Sequence, residues 1–133
     1  MSTKKFTIRS SLRSHLVVLT NLPTIAWENR YFVPTEGQSY LRETLMPSEE
    51  WLTANNERTA MGLYQLDLFV PAGSSISDAE AEADKIKHQF RPAQVVSGVI
   101  LEKSEVLQGR NDPPWYHIPI RIHYRAHQQN NEE

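Results

Sequence analysis

The sequence predicts an α+β fold, a mostly antiparallel sheet of four to five strands with two helices packed on one face. Three observations carry that prediction. Residues 115–125, "WYHIPIRIHYR", alternate between apolar and polar side chains, the period of a strand with one buried face. Residues 6–19 and 76–90 instead repeat apolar residues every three or four positions, as an amphipathic helix does. The order along the chain is helix, two strands, long loop, strand, helix, two strands, with no internal repeat and no linker. The 133 residues therefore read as one domain, with 1–5 and 127–133 as frayed ends.

In the first helix Ile8, Leu12, Leu16 and Leu19 form one stripe, bordered by Arg9 and Arg13. Asn21 and Pro23 end it, because proline has no amide hydrogen to donate and disfavours helix in the residue before it. Residues 24–29, "TIAWEN", read as a short first strand, and "RYFVPTEGQ" as a turn. In 40–46 Leu41 and Leu45 fall on one side of a strand, Arg42 and Thr44 on the other. Residues 47–60, "PSEEWLTANNERTA", show no convincing period and read as a long connection, or as a single helical turn opening at Pro47 and Ser48.

In the strand 62–73, Tyr64, Leu66, Leu68 and Val70 make one face, and Leu63, Gln65, Asp67 and Phe69 the other. The helix 76–90 sets Ile76, Ala79, Ala83, Ile86 and Phe90 on a buried stripe. Ser77 and Glu80 have capping-box spacing. Acids crowd the first half of this helix and bases the second, which complements its dipole. Residues 94–107 read as one long strand with Gly98 as a bulge or bend.

Composition narrows the functional classes. Hydrophobic residues make up 39% and charged residues 23%, which argues against general disorder. The net charge of −2 argues against the whole surface acting as an electrostatic trap for nucleic acid. Lys4, Lys5, Arg9, Arg13 and Arg30 face Glu28 alone in residues 1–30, and this basic end reads as a solvated helix face before a phosphate site. No cysteine is present, which removes disulfides, thiolate catalysis and cysteine-ligated metal together. No apolar run approaches the ~20 residues needed to cross a bilayer, and the N-terminus lacks a secretion signal. An intracellular, soluble chain is expected.

The final strand raises the functional question. Tyr116, Ile118, Ile120, Ile122 and Tyr124 make a core face, while Trp115, His117, Pro119, Arg121, His123 and Arg125 share the other. His117 and His123 stand roughly 20 Å apart on a strand rising ~3.4 Å per residue, too far to share a metal. No serine sits in Gly-x-Ser-x-Gly, and no glycine-rich phosphate loop exists. Single-strand binders combine a basic groove with stacking aromatics; here only Trp115 shares the basic side. Pro119 cannot donate to a ladder and suggests an edge strand. A protein-facing surface is favoured over a nucleic-acid one, and no cofactor or metal is expected.

Taken in order, the motifs resemble those of the tail terminator (tail completion) proteins of long-tailed bacteriophages and related prophages. "WENRYFVP" (27–34) with "YLRETLMP" (40–47) is similar to the family's aromatic-Asn…Phe-x-Pro followed by Tyr-Leu-Arg. "GLYQLDLFVPAG" (62–73) resembles its central strand, "AEAEADKIKHQF" (79–90) its alanine-rich helix, and "WYHIPIRIHY" (115–124) its final strand. One departure is Arg91-Pro92-Ala93, where many relatives place a glycine after the helix's phenylalanine.

The resemblance implies a structural protein of the virion tail, without catalysis, assembled in the cytoplasm of the host bacterium. Its members form a six-membered ring on the head-proximal end of the tail tube. That ring ends tube polymerisation and offers the surface to which the head docks. The implied partners are copies of the chain (a monomer before assembly being one option), the tube protein, and a head-completion or connector protein. DNA passes through the lumen without specific binding, and no membrane is involved. The expected interface residues are Arg121 and Arg125 with His117 and His123 on one flank, and Glu49, Glu50 and Glu82 on the other. Trp51 is the expected anchor of an arm formed by 47–60. The alternatives are another neck or minor tail component, a small oligomeric enzyme, or a nucleic-acid-binding module.

Overall fold

The computed structural model describes residues 4–52 and 57–129. Its elements are α1 (Lys4–Leu16), β1 (Thr24–Ala26), β2 (Tyr40–Leu52), β3 (Glu57–Pro71), α2 (Ile76–Gln89), β4 (Val95–Val96), β5 (Val99–Val106), β6 (Arg110–Asp112) and β7 (Trp115–Gln129). One sheet runs in the order β1-β2-β3-β7-β5-β4, with β6 also paired to β7. β1 and β2 are parallel, and the other pairs are antiparallel. The class is the expected α+β, but the strands are seven. The extra ones, β4 and β6, have two and three residues, too few to display a period.

One core joins both helices to a single face of the sheet. Ile8, Leu12 and Leu16 of α1 and Ala79, Ala83 and Ile86 of α2 meet Leu41, Tyr64, Leu66, Leu68, Ile118, Ile120, Ile122 and Tyr124. The two alanines let α2 lie close to the strands, because no larger side chain holds it away. Ile76, expected on the buried stripe, is 52% exposed, since it begins the helix at its solvent end. The cap is Ser75, not Ser77: its side chain accepts from the Asp78 amide two residues ahead of the expected position. His15 and Gln89 lock the helices together, His15 Nε2 lying 2.7 Å from the Gln89 carbonyl and Gln89 donating to the His15 carbonyl at 2.7 Å.

Residues 47–60 are not a long loop. Residues 47–52 continue β2 and 57–60 open β3, with Glu50 facing Ala60 and Trp51 facing Thr59. A bulge between Pro47 and Glu50 shifts the register, so alternation breaks there and the strand period is hidden in the sequence. Residues 53–56 lie outside the described residues. β7 follows β3 along its whole length, from Trp115 opposite Pro71 to Gln129 opposite Glu57. Part of the tail expected to fray, 127–129, is therefore strand, and Lys4 and Lys5 already belong to α1.

Residues 94–107 also differ from expectation. Ser97 and Gly98 both take positive φ, 50° and 87°, and turn the chain back on itself between β4 and β5. Pro119 does not mark an edge: β7 lies between β3 and β5. The Leu107 amide donates to the Pro119 carbonyl at 2.9 Å, so the carbonyl, and with it the absent N–H, faces away from β3. That side is the gap where the chain passes from β5 to β6, so the ladder to β3 loses no donor there.

Candidate functional site

The parity of the strands creates two chemically different sides. The helix side is apolar except for one ionic network. Glu43 lies between Leu41 and Leu45 on the core face, its side chain wholly buried. Arg13 of α1 reaches it with two nitrogens, Nε to Oε2 at 2.7 Å and Nη2 to Oε1 at 2.6 Å. Tyr64 donates to Oε2 at 2.6 Å and the Glu28 amide to Oε1 at 3.1 Å. Burial pushes the Glu43 carboxyl up, but the hydrogen bonds from Arg13, Tyr64 and the Glu28 amide, with the charge of Arg13, outweigh it. Its pKa lies below the ordinary glutamate value. The same contact raises Arg13, and burial followed by the charge of Glu43 raises Tyr64 strongly. Arg9 pairs with Glu28 at 2.7 Å, and Glu28 also accepts from the Leu45 amide at 2.9 Å. The basic N-terminal end is thus neither solvated nor an anion site at Arg9 and Arg13. Period-2 counting from Leu41 to Leu45 was the signal for Glu43.

The opposite side of the sheet carries rows of paired residues running across the strands. Tyr40, Phe69 and His117 are register partners and stack, with ring centroids 4.7 Å and 4.5 Å apart. His117, expected at an interface, is buried within its own subunit. Its Nε2 lies 2.8 Å from Asp67 Oδ1. Asp67 also accepts from Gln65 Nε2 at 2.8 Å, and Gln65 Oε1 accepts from Arg121 Nε at 3.0 Å. Farther along, His123 Nε2 is 3.0 Å from Glu105, and Arg125 Nε is 2.8 Å from Glu102, an ion pair by distance whose angle does not make a hydrogen bond. Arg121, His123 and Arg125 therefore share a half-exposed outer face, and each has a polar partner beside it. Carboxylates offset the charge at His123 and Arg125, while Gln65 holds Arg121 without neutralising it, and the row's case as a phosphate track is weakened.

The expected acidic flank is divided. Glu82 sits on α2, on the helix side, 3.4 Å from Lys85. Its second oxygen, Oε2, is buried with no hydrogen-bond partner among the described residues. The backbone of Glu49, Glu50 and Trp51 belongs to β2, but their side chains lie outside the described residues.

A cleft of 580 Å³ opens between the start of α2 and the segments leading into β1 and β2, with Leu22, Leu68 and Val70 in its floor and Asp78 and Glu82 at its rim. It lacks a convergent set of catalytic groups. Among the described residues no group of His, Asp and Glu is placed to hold a metal ion, and no helix is long and apolar enough to cross a membrane.

Comparison with known proteins agrees with this arrangement. No curated protein matches the chain. Among solved structures 17 chains match. One of them, whose name states no function, superposes with a TM-score of 0.72 at 22% identity, covering 94% of this chain and 96% of the other. That likeness shows the fold. A family model described as phage tail terminator protein matches residues 7–124. The chain belongs to the phage tail terminator family, a structural, non-enzymatic family of phage tail assembly proteins.

Proposed function

We propose that copies of this chain close into a six-membered ring on the head-proximal end of the tail tube. There the ring ends tube polymerisation and presents the surface on which the head's completion or connector protein docks. Assembly takes place in the cytoplasm of the host bacterium, and the finished ring stays in the virion tail. The observation that carries this reading is the family match over residues 7–124.

The two-sidedness of the subunit supports it. A head-to-tail ring needs two different complementary patches on each copy. The outer sheet face offers Arg121, His123 and Arg125, and the helix side offers the acids of α2, Asp78, Glu80, Glu82 and Asp84. The β2–β3 hairpin beyond Pro47, with Glu49, Glu50 and Trp51, serves as an arm toward the tube or a neighbour. Trp51 is its anchor, as tryptophan is enriched among interface hot spots. DNA passes the lumen without specific binding, in keeping with a chain whose net charge is −2.

Electron microscopy of the purified protein at high concentration, alone and added to tails assembled without it, tests the reading. Closed six-fold rings with an open centre, and tails of uniform length, are expected. Tails that stay overlong and never carry a ring overturn it.

A further inference from the structure

The segment joining β1 to β2 crosses the outer face of the sheet, where Phe32 packs on Tyr40, their ring centroids 5.1 Å apart. Its neighbour Tyr31 is left 94% exposed, and Val33 61%. Arg30 beside them is exposed, and its guanidinium has no ion pair or hydrogen bond among the described residues. Tyrosine and arginine are residues that interfaces enrich, so an unpaired cation next to a fully exposed aromatic marks this segment as a contact surface. A separate patch of the same subunit is the α2 cleft, with its apolar floor of Leu68 and Val70 and its acidic rim of Asp78 and Glu82. Glu82 Oε2 is buried there and lacks a partner. One surface thus holds a basic and aromatic pair without a socket, and the other an apolar, acidic socket without an occupant.

We infer that the Arg30–Tyr31 segment of one copy seats in the α2 cleft of a second copy, Tyr31 on the apolar floor and Arg30 pairing with Asp78 and Glu82. Within one copy Arg30 lines a pocket with Arg13, Ser14 and Val17 of the α1 end, not the α2 cleft. Segment and cleft are two different patches, so a contact between copies is heterologous and propagates head to tail. The cleft's 580 Å³ has room for a tyrosine ring with an arginine head beside it. The inference rests on the ring reading above and names the contact that closes the ring.

The natural chain has no cysteine, so introduced thiols report alone. The double variant Val33→Cys/Ser74→Cys keeps Arg30 and Tyr31 and puts one thiol on the segment and one at the cleft mouth, both at exposed positions. Oxidised in assembled rings, it should give a covalent ladder ending at the ring size, while each single variant gives no ladder. Arg30→Glu should lower ring yield at least tenfold, and Arg30→Glu with Glu82→Arg should restore it. Tyr31→Ala should melt as the wild type does, because its ring touches almost nothing. If wild-type rings form but no ladder appears and Tyr31→Ala rings assemble normally, this contact is wrong and the ring reading stands. If the wild type forms no ring alone or on tails, both fail.

Discussion

The Tyr64 hydroxyl donates to Glu43 Oε2 at 2.6 Å, joining two neighbouring strands across the core face of the sheet. Both side chains are out of reach of water, and Arg13 completes the arrangement from the helix above. A lone buried carboxylate would be expelled or protonated. Here four hydrogen bonds, two of them from a guanidinium, hold it charged. The network fixes where α1 sits on β2 more sharply than Ile8, Leu12 and Leu16 can, since apolar packing has no direction.

Glu43→Ala should lose about 3 kcal/mol, the low end of what breaking a buried ion pair costs. The low end applies because Arg13 is 33% exposed and can return to water, whereas the Tyr64 hydroxyl cannot. Tyr64→Phe should lose less, roughly 1.5–3 kcal/mol for a hydrogen bond to a charged group. Denaturant titration of both variants checks the order.

The pKa of Glu43 lies below its ordinary value, so in acid the unfolded chain takes up this proton before the folded one does. Its stabilisation is therefore complete above about pH 4.3 and is lost as pH falls toward the folded value. Glu105 is lowered too, by its hydrogen bond from His123, but it stands near solvent and weighs little. The melting temperature of the wild type should fall steeply below about pH 4.3. In Glu43→Gln it should be lower at neutral pH and flatter in acid. An equally steep acid limb in the variant would assign it to other carboxylates.

Gly62 is required by close approach. A Cβ there would lie 2.6 Å from the Met46 carbonyl oxygen, 2.6 Å from the Tyr124 hydroxyl and 2.9 Å from Pro47 Cα. Two of these are backbone atoms of the bulged strand and cannot rotate away. Gly62→Ala should cost about 1–3 kcal/mol. Adding Tyr124→Phe should recover little of it, because the backbone clash remains. Thermal melts of the single and double variants decide the matter.

Where the sequence was legible, one chemical pattern ran unbroken through an element. The alternation from Tyr116 to Tyr124 and the stripe from Ala79 to Phe90 both appear in the core as written. Where a local device interrupts the pattern, reading failed. The bulge at Pro47 disguised a hairpin as a loop, and Ser97-Gly98 hid a turn inside one apparent strand. Pro119 misled because the cost of its missing donor depends on which way the strand faces, a tertiary fact. The site was legible in part. Parity placed Arg121, His123 and Arg125 on one face, but it could not show that Asp67, fifty residues upstream, buries His117. Nor could it show a cleft assembled from four segments, the stretches into β1 and β2, the end of β3 and the start of α2.

Asp67 organises the outer face. It accepts from Gln65, which holds Arg121, and it partners His117, which stacks on Phe69. Asp67→Ala leaves a buried imidazole unpaired and should cost about 1–3 kcal/mol, whereas Asp67→Asn keeps an acceptor oxygen and should cost less. Neither loss should unfold the core, which lies on the other side of the sheet. If that outer face is a ring flank, Asp67→Ala should also lower the fraction of folded protein found in rings, because Gln65 and Arg121 lose their fixed geometry. Counting rings per folded subunit separates the two effects. A variant that is less stable yet assembles in full would remove Arg121 from the contact.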